Sequence, residues 1–168
     1  MARLDTTLPH ANIDPDGLLE YSVVYTDRAL NHMSKTFQTV MTDLSSLLKN
    51  LYKADAVAIV PGSGTFGIEA VARCFAKDND VLIIRNGWFS YRWTQILDAA
   101  NIAKSSQAFK ANYELIDNKA FFEPADVSQV TEFIKTHRPK VVFAPHVETA
   151  SGMMLTDDYI KALADAVH

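Results

Sequence analysis

Cysteine is nearly absent from this 168-residue chain, where Cys74 stands alone. A single thiol excludes an intrachain disulfide framework and any metal site built on several thiolates. No metal ligand set is assigned. Long apolar runs are missing too: no stretch approaches the roughly 20 residues of a membrane-spanning helix. The first residues show no basic-then-apolar leader pattern, so the expected compartment is the cytoplasm and no membrane partner is expected. Positive charge is in deficit, with 16 Lys and Arg against 20 Asp and Glu. The net charge of −4 gives a nucleic-acid partner no electrostatic support. Neither an internal repeat nor a low-complexity tract occurs, which sets aside solenoids and disordered linkers.

What is present suits one soluble domain. The chain is 48% hydrophobic and 21% charged, and it is long enough to bury a substantial core. Residues 1–28 are polar and rich in turn formers, with an apolar patch at Tyr21–Tyr25, and read as an extended arm. From 29 to 53, Leu30, Met33, Phe37, Val40, Met41, Leu44, Leu47, Leu48 and Leu51 recur near helical spacing. That pattern predicts one long amphipathic helix whose stripe faces a core or a subunit interface.

Residues 54–168 alternate between strand and helix. Strands are expected at 56–60, 81–84, near 105–109 and at 140–145, with helices over 65–76, 89–100, about 126–136 and from 157 to the end. Asp126 and Thr156 are suited to helix starts. Residues 111–124 read as a less regular connection. Cys74, beside Val71 and Phe75 in a helical pattern, is expected to be a small buried residue. Such alternation argues for an α/β fold, a mostly parallel sheet with helices on both faces.

The most informative stretch is Pro61-Gly62-Ser63-Gly64-Thr65-Phe66-Gly67, which joins an apolar run to a helical pattern. The first N–H groups of a helix are unpaired and carry the positive end of its dipole. Glycines let an anion approach the backbone, and the hydroxyls of Ser63 and Thr65 add donors, so the turn reads as a phosphate cradle. A Walker loop is excluded, because no Lys-Ser/Thr pair follows Gly64. Gly62, Gly64 and Gly67 do fit G-x-G-x-x-G, the dinucleotide fingerprint, and Arg85 would suit a ribose 2′-phosphate. Such a unit usually opens its domain, whereas here an arm and a long helix precede it.

Two other loops also follow strands. Asn86-Gly87-Trp88-Phe89-Ser90-Tyr91-Arg92-Trp93 comes after the second, and His146-Val147-Glu148-Thr149-Ala150-Ser151-Gly152 after the fourth. Ligands of open α/β sheets collect beyond the carboxyl ends of the strands. Three such loops can converge on one flat phosphorylated ligand, an aromatic face against its ring and hydroxyls on its phosphate. Pyridoxal 5′-phosphate fits that description.

From about Asn31 onward the chain resembles the N-terminal part of class V aminotransferases, pyridoxal-phosphate enzymes of fold type I. It is most similar to the group containing alanine–glyoxylate, serine–glyoxylate and 2-aminoethylphosphonate aminotransferases. The resemblance rests on Met33-Ser34-Lys35, on Gly62-Ser63-Gly64-Thr65 with Glu69-Ala70, on Asn86-Gly87 with Arg92, and on His146 to Gly152. It implies that Ser63, Gly64 and Thr65 hold the cofactor phosphate, that Phe89 stacks on the pyridine ring, and that Thr149 approaches the ring's 3-hydroxyl. Glu148 and His146 would support that site from behind, and Trp93 would be plain core. Ala150 replaces a hydroxyl residue of the family's pattern.

The resemblance also implies a homodimer, and transfer of an amino group from an amino acid to a 2-oxo acid such as pyruvate or glyoxylate. The lysine that forms the Schiff base and the acid that faces the pyridine nitrogen are expected beyond His168. Residues 54–168 would thus be the first part of the cofactor-binding domain, inactive by itself. The alternatives are an NADP-binding Rossmann oxidoreductase domain and a non-catalytic, truncated protein of the same fold.

Overall fold

The computed structural model describes residues 35–168. The arm at 1–28 and the expected helical residues 29–34 lie outside the described residues. The chain divides into one unit that ends at Ile59 and another from Val60 to His168.

In the first unit, helix α1 spans Lys35–Tyr52. The hydroxyls of Thr39, Thr42 and Ser46 each donate to the carbonyl four residues earlier, which satisfies them within the helix. None of its residues is buried. Of the described stripe, Leu47 and Leu51 are largely exposed, and Phe37, Met41 and Leu48 are half-buried.

The second unit runs α2 (Gly64–Phe75), β1 (Asp80–Arg85), α3 (Trp88–Ala99), β2 (Ser105–Lys110), β3 (Asn112–Ile116), β4 (Lys119–Glu123), α4 (Val127–His137), β5 (Val141–Phe143), β6 (Val147–Glu148), β7 (Met153–Met154) and α5 (Asp157–Val167). Its centre is a parallel sheet in the order β2-β1-β5. Successive side chains of a strand face opposite ways, and β1 is apolar from Val81 to Ile84 because both faces are covered there. Val81 and Ile83 pack with Ala72 of α2 and its C-cap Ala76, with Leu97 of α3 and with Phe143. Leu82 and Ile84 pack on the other face with Val130 and Ile134 of α4 and with Tyr159 and Leu163 of α5. Each such aliphatic side chain contributes about 1.5–3 kcal/mol on burial, so this one strand organises both halves of the core. The α/β class with helices on both faces is the observed architecture.

Two helix starts follow directly from sequence. Asp126 accepts hydrogen bonds from Ser128 N at 2.9 Å and Gln129 N at 3.1 Å, and so caps α4. Thr156 accepts from Tyr159 N at 3.2 Å at the start of α5.

Three expectations need correction. Residues 56–60 form no strand, and the run pairs with nothing among the described residues. A β-branched run becomes a strand only where another strand offers matching N–H and C=O groups, and none does here. The connection at 111–124 is in fact an antiparallel hairpin, with Ile116 opposite Lys119. Its two-residue turn, Asp117-Asn118, has φ of 49° and 60°, the left-handed pair that a tight hairpin requires and that Asp and Asn tolerate. Cys74 is exposed. Helix α2 turns Ala72 and its C-cap residue Ala76, four residues on, toward the sheet, which puts the residue midway between them on the opposite side.

Candidate functional site

The glycine turn leads straight into α2. Gly62 has φ of 127°, and a Cβ there would lie 2.5 Å from Phe66 Cδ2. Both the backbone conformation and the close approach of Phe66 demand glycine at that position. Ser63 is the N-cap residue in an extended conformation, yet its side chain makes no capping hydrogen bond. Ser63 is exposed at this helix start, where Phe66 N donates to Ser63 O at 2.9 Å. A Cβ on Gly64 would meet nothing within 4 Å, so the space in front of this helix start is open.

The loop after β1 is held by a carboxylate distant in sequence. Glu148, 1% exposed, accepts from Phe89 N at 3.0 Å, from Ser90 N at 2.8 Å and from Ser90 Oγ at 2.7 Å. It therefore caps α3 in the place a local N-cap side chain would occupy, and its negative charge sits at the positive end of the helix. The Ser90 hydroxyl in turn accepts from Asn86 N at 2.8 Å and Gly87 N at 3.0 Å. A Cβ on Gly87 would come within 2.7 Å of Glu148 Cγ, so the absence of a side chain there admits the carboxylate. Glu148 itself is placed by the short β6–β7 ladder, where it lies opposite Met153.

A second link joins α3 to the glycine turn. Arg92 Nη1 donates to Thr65 Oγ1, and the same guanidinium lies 5.8 Å from the centre of the Phe89 ring. Arg92 and Phe89 are three residues apart on α3 and so share a face. Of the expected site residues, Thr65 and Phe89 are thus brought together through Arg92. Thr149 directly follows the carboxylate that anchors Phe89, in the turn closed by Gly152 N on Thr149 O at 3.3 Å. Ser63 and Gly64 sit beside Thr65 at the opening of α2. Phe89, Thr149 and His146 are all exposed. Trp93 stacks on Phe143 with ring centres 5.0 Å apart, as a core residue should.

Arg92 and Ser90 are the contributions that residue-by-residue inspection assigned no role. The helical spacing of Arg92 from Phe89 was a usable signal. The bond from Ser90 to Glu148 left none, because nothing local links positions 58 residues apart. Glu148, expected to stand behind the cofactor, holds the start of α3. The dinucleotide alternative needs the strand before the glycine turn to lie in the sheet beside β1. Residues 56–60 are not in it. Arg85 instead rests over the Tyr91 ring, 5.1 Å from its centre. Among the described residues, no group of three or more His, Cys, Asp or Glu is arranged to hold a metal.

No protein-family model matches this sequence, and no curated protein matches it. Among solved structures, the fold is that of ureidoglycine-glyoxylate aminotransferase from Bacillus subtilis. The two share 22% sequence identity and superpose with a TM-score of 0.63 over 82% of this chain. The matched part is 34% of the neighbour, so the chain spans about a third of that protein's length. At this identity the likeness establishes the fold: the α/β architecture corresponds to part of an aminotransferase fold.

Proposed function

We propose that residues 54–168 carry the phosphate- and ring-binding part of a pyridoxal-phosphate-dependent aminotransferase of class V. The observation that carries this reading is the connected line Thr65–Arg92–Phe89–Glu148, which sets a hydroxyl at a helix start and an exposed aromatic ring around one guanidinium. The donor set fits the cofactor. Ser63, Gly64 and Thr65 would receive its phosphate at the N-terminus of α2, where N–H groups and dipole favour an anion. Phe89 would lie against its ring, and Thr149 would meet the ring's 3-hydroxyl.

Pyridoxal phosphate, when bound, supplies the electron sink through which an amino group is exchanged. What the chain contributes is placement. Arg92 orients Thr65 and adds positive charge near the phosphate. Glu148 fixes the angle of Phe89 by holding two successive backbone N–H groups. Gly87 gives that carboxylate room. Transamination calls in addition for a lysine and an acid at the ring nitrogen, and none of the residues proposed here supplies them. We therefore propose that this chain by itself does not transaminate. The proposed reaction moves an amino group to a 2-oxo acid such as pyruvate or glyoxylate, a reading supported by the class V resemblance and by the glyoxylate named for the structural neighbour. A homodimer and a cytoplasmic setting belong to the same proposal. No described helix is long and apolar enough to cross a membrane.

The test is titration with 4′-deoxypyridoxine phosphate, which lacks the aldehyde and so cannot react with stray lysines, beside its dephosphorylated form and NADPH. Saturable binding that requires the phosphate and weakens in Thr65→Val and Phe89→Ala is the expected result. Equal binding of the two pyridines, or binding of NADPH alone, overturns the proposal.

A further inference from the structure

A cleft lies at the carboxyl ends of β1 and β2. Arg85 and Lys110 end these neighbouring strands directly opposite each other. Register partners in a parallel pair project to the same side of the sheet, here the side that α2 and α3 cover. The ion pairs of this unit are Arg73–Glu69 and Lys104–Asp80, so neither Arg85 nor Lys110 has an acidic partner among the described residues. Two adjacent cations without a counter-charge raise each other's energy, and an anion between them relieves it.

The walls are aromatic. Trp88 and Tyr91 have ring centres 5.9 Å apart, and Phe122 of the β3–β4 hairpin lines the other side of an open cleft of about 290 Å³. That volume is at the small end of ligand pockets. Asn86 lines it as well. It is 2% exposed, and neither its amide oxygen nor its amide nitrogen has a hydrogen-bond partner. A buried unpaired amide is the mark of a missing partner. Thr65, Phe89 and Thr149 do not line this space.

We propose that this cleft binds a small organic dianion, a phosphate monoester or a dicarboxylate, between Arg85 and Lys110. Its flat apolar body rests against Trp88 and Tyr91. The site stands independently of the cofactor proposal.

Titration of the full 168-residue chain with phenyl phosphate and with phthalate, followed by two-dimensional amide NMR, tests it. The Trp88 indole N–H should shift and saturate with at least one probe, while that of Trp93, stacked on Phe143, moves less. Whichever probe binds tighter identifies the phosphate or the carboxylate source. Lys110→Gln, at an exposed strand end, should weaken binding about tenfold, and Arg85→Gln likewise. Ser63→Ala, at the other anion site, should leave the affinity unchanged. The proposal fails if neither probe saturates the Trp88 signal, if Lys110→Gln and Arg85→Gln bind as well as the parent chain, or if Ser63→Ala abolishes the shift.

Discussion

Replacing Glu148 by alanine should unfold α3 from its start. The carboxylate accepts from two successive backbone N–H groups and from the Ser90 hydroxyl, all within 3.0 Å, and is almost wholly buried. Hydrogen bonds to a charged acceptor contribute about 1.5–3 kcal/mol each, and donors left unpaired in the interior add their own desolvation cost. These terms overlap, and a total loss of about 3–5 kcal/mol is expected. Gly87→Ala attacks the same contact from the other side. Its new Cβ would stand 2.7 Å from Glu148 Cγ and 2.8 Å from Cδ, and overpacking of that kind costs about 1–3 kcal/mol. The backbone there has φ of 174°, extended and open to any residue, so the clash is the whole effect. In the Glu148→Ala background both clashing atoms are gone. The double variant should therefore be more stable than the sum of the single effects by about 1–2 kcal/mol. Urea unfolding of the parent, both single variants and the double variant, compared at a common slope, measures this coupling. Additivity within about 0.5 kcal/mol would refute the proposed contact. A Glu148→Ala loss below about 1 kcal/mol would refute the capping role.

Tyr159 donates its hydroxyl to Ala125 O at 2.9 Å, and burial, with the Asp126 charge second, pushes its pKa up to about 12. The unfolded chain then loses this proton first, so stability should hold below pH 10 and fall as pH rises toward 12; Tyr159→Phe should flatten that alkaline loss and cost about 0.5–1.5 kcal/mol at neutral pH, read by thermal melts across the range. Asp126 is held below the usual carboxylate range by the Ser128 hydroxyl and then by the Gln129 N–H, and Asp80 by the Ser105 hydroxyl and then by Lys104. Depressed carboxylates stabilise above their unfolded value near pH 4, and the benefit is lost as pH falls below it; Asp126→Asn should shallow the acid limb of a pH–melting profile, and an unchanged limb would contradict the cap. Arg92→Met removes the donor to Thr65 and the charge beside Phe89, so affinity for 4′-deoxypyridoxine phosphate should fall about tenfold while the dephosphorylated form is affected less.

Local chemistry made much of the fold legible. The apolar run of β1, the helical spacing of α2 and α3, and the side-chain caps Asp126 and Thr156 all act within a few residues. The proposed phosphate cradle at Gly62 to Thr65 is read from local properties too, glycine tolerance and helix-start N–H groups. The hairpin at 112–123 was equally local, yet its signal lay in two turn residues, Asp117 and Asn118, amid a stretch of weak alternation.

By itself, then, the sequence determined the alternating α/β layout, the helix starts and the candidate residues Ser63, Gly64, Thr65, Phe89 and Thr149. Only the tertiary structure decided which of these are linked to one another, through Arg92 on Thr65 and Glu148 on Phe89. It also decided that residues 56–60 stay unpaired and that Cys74 faces outward. The physical reason is range. Periodicity and capping are written into neighbouring residues, but a strand needs a partner's hydrogen-bonding edge, and a carboxylate that caps a helix 58 residues away is placed only when the sheet brings two loops together.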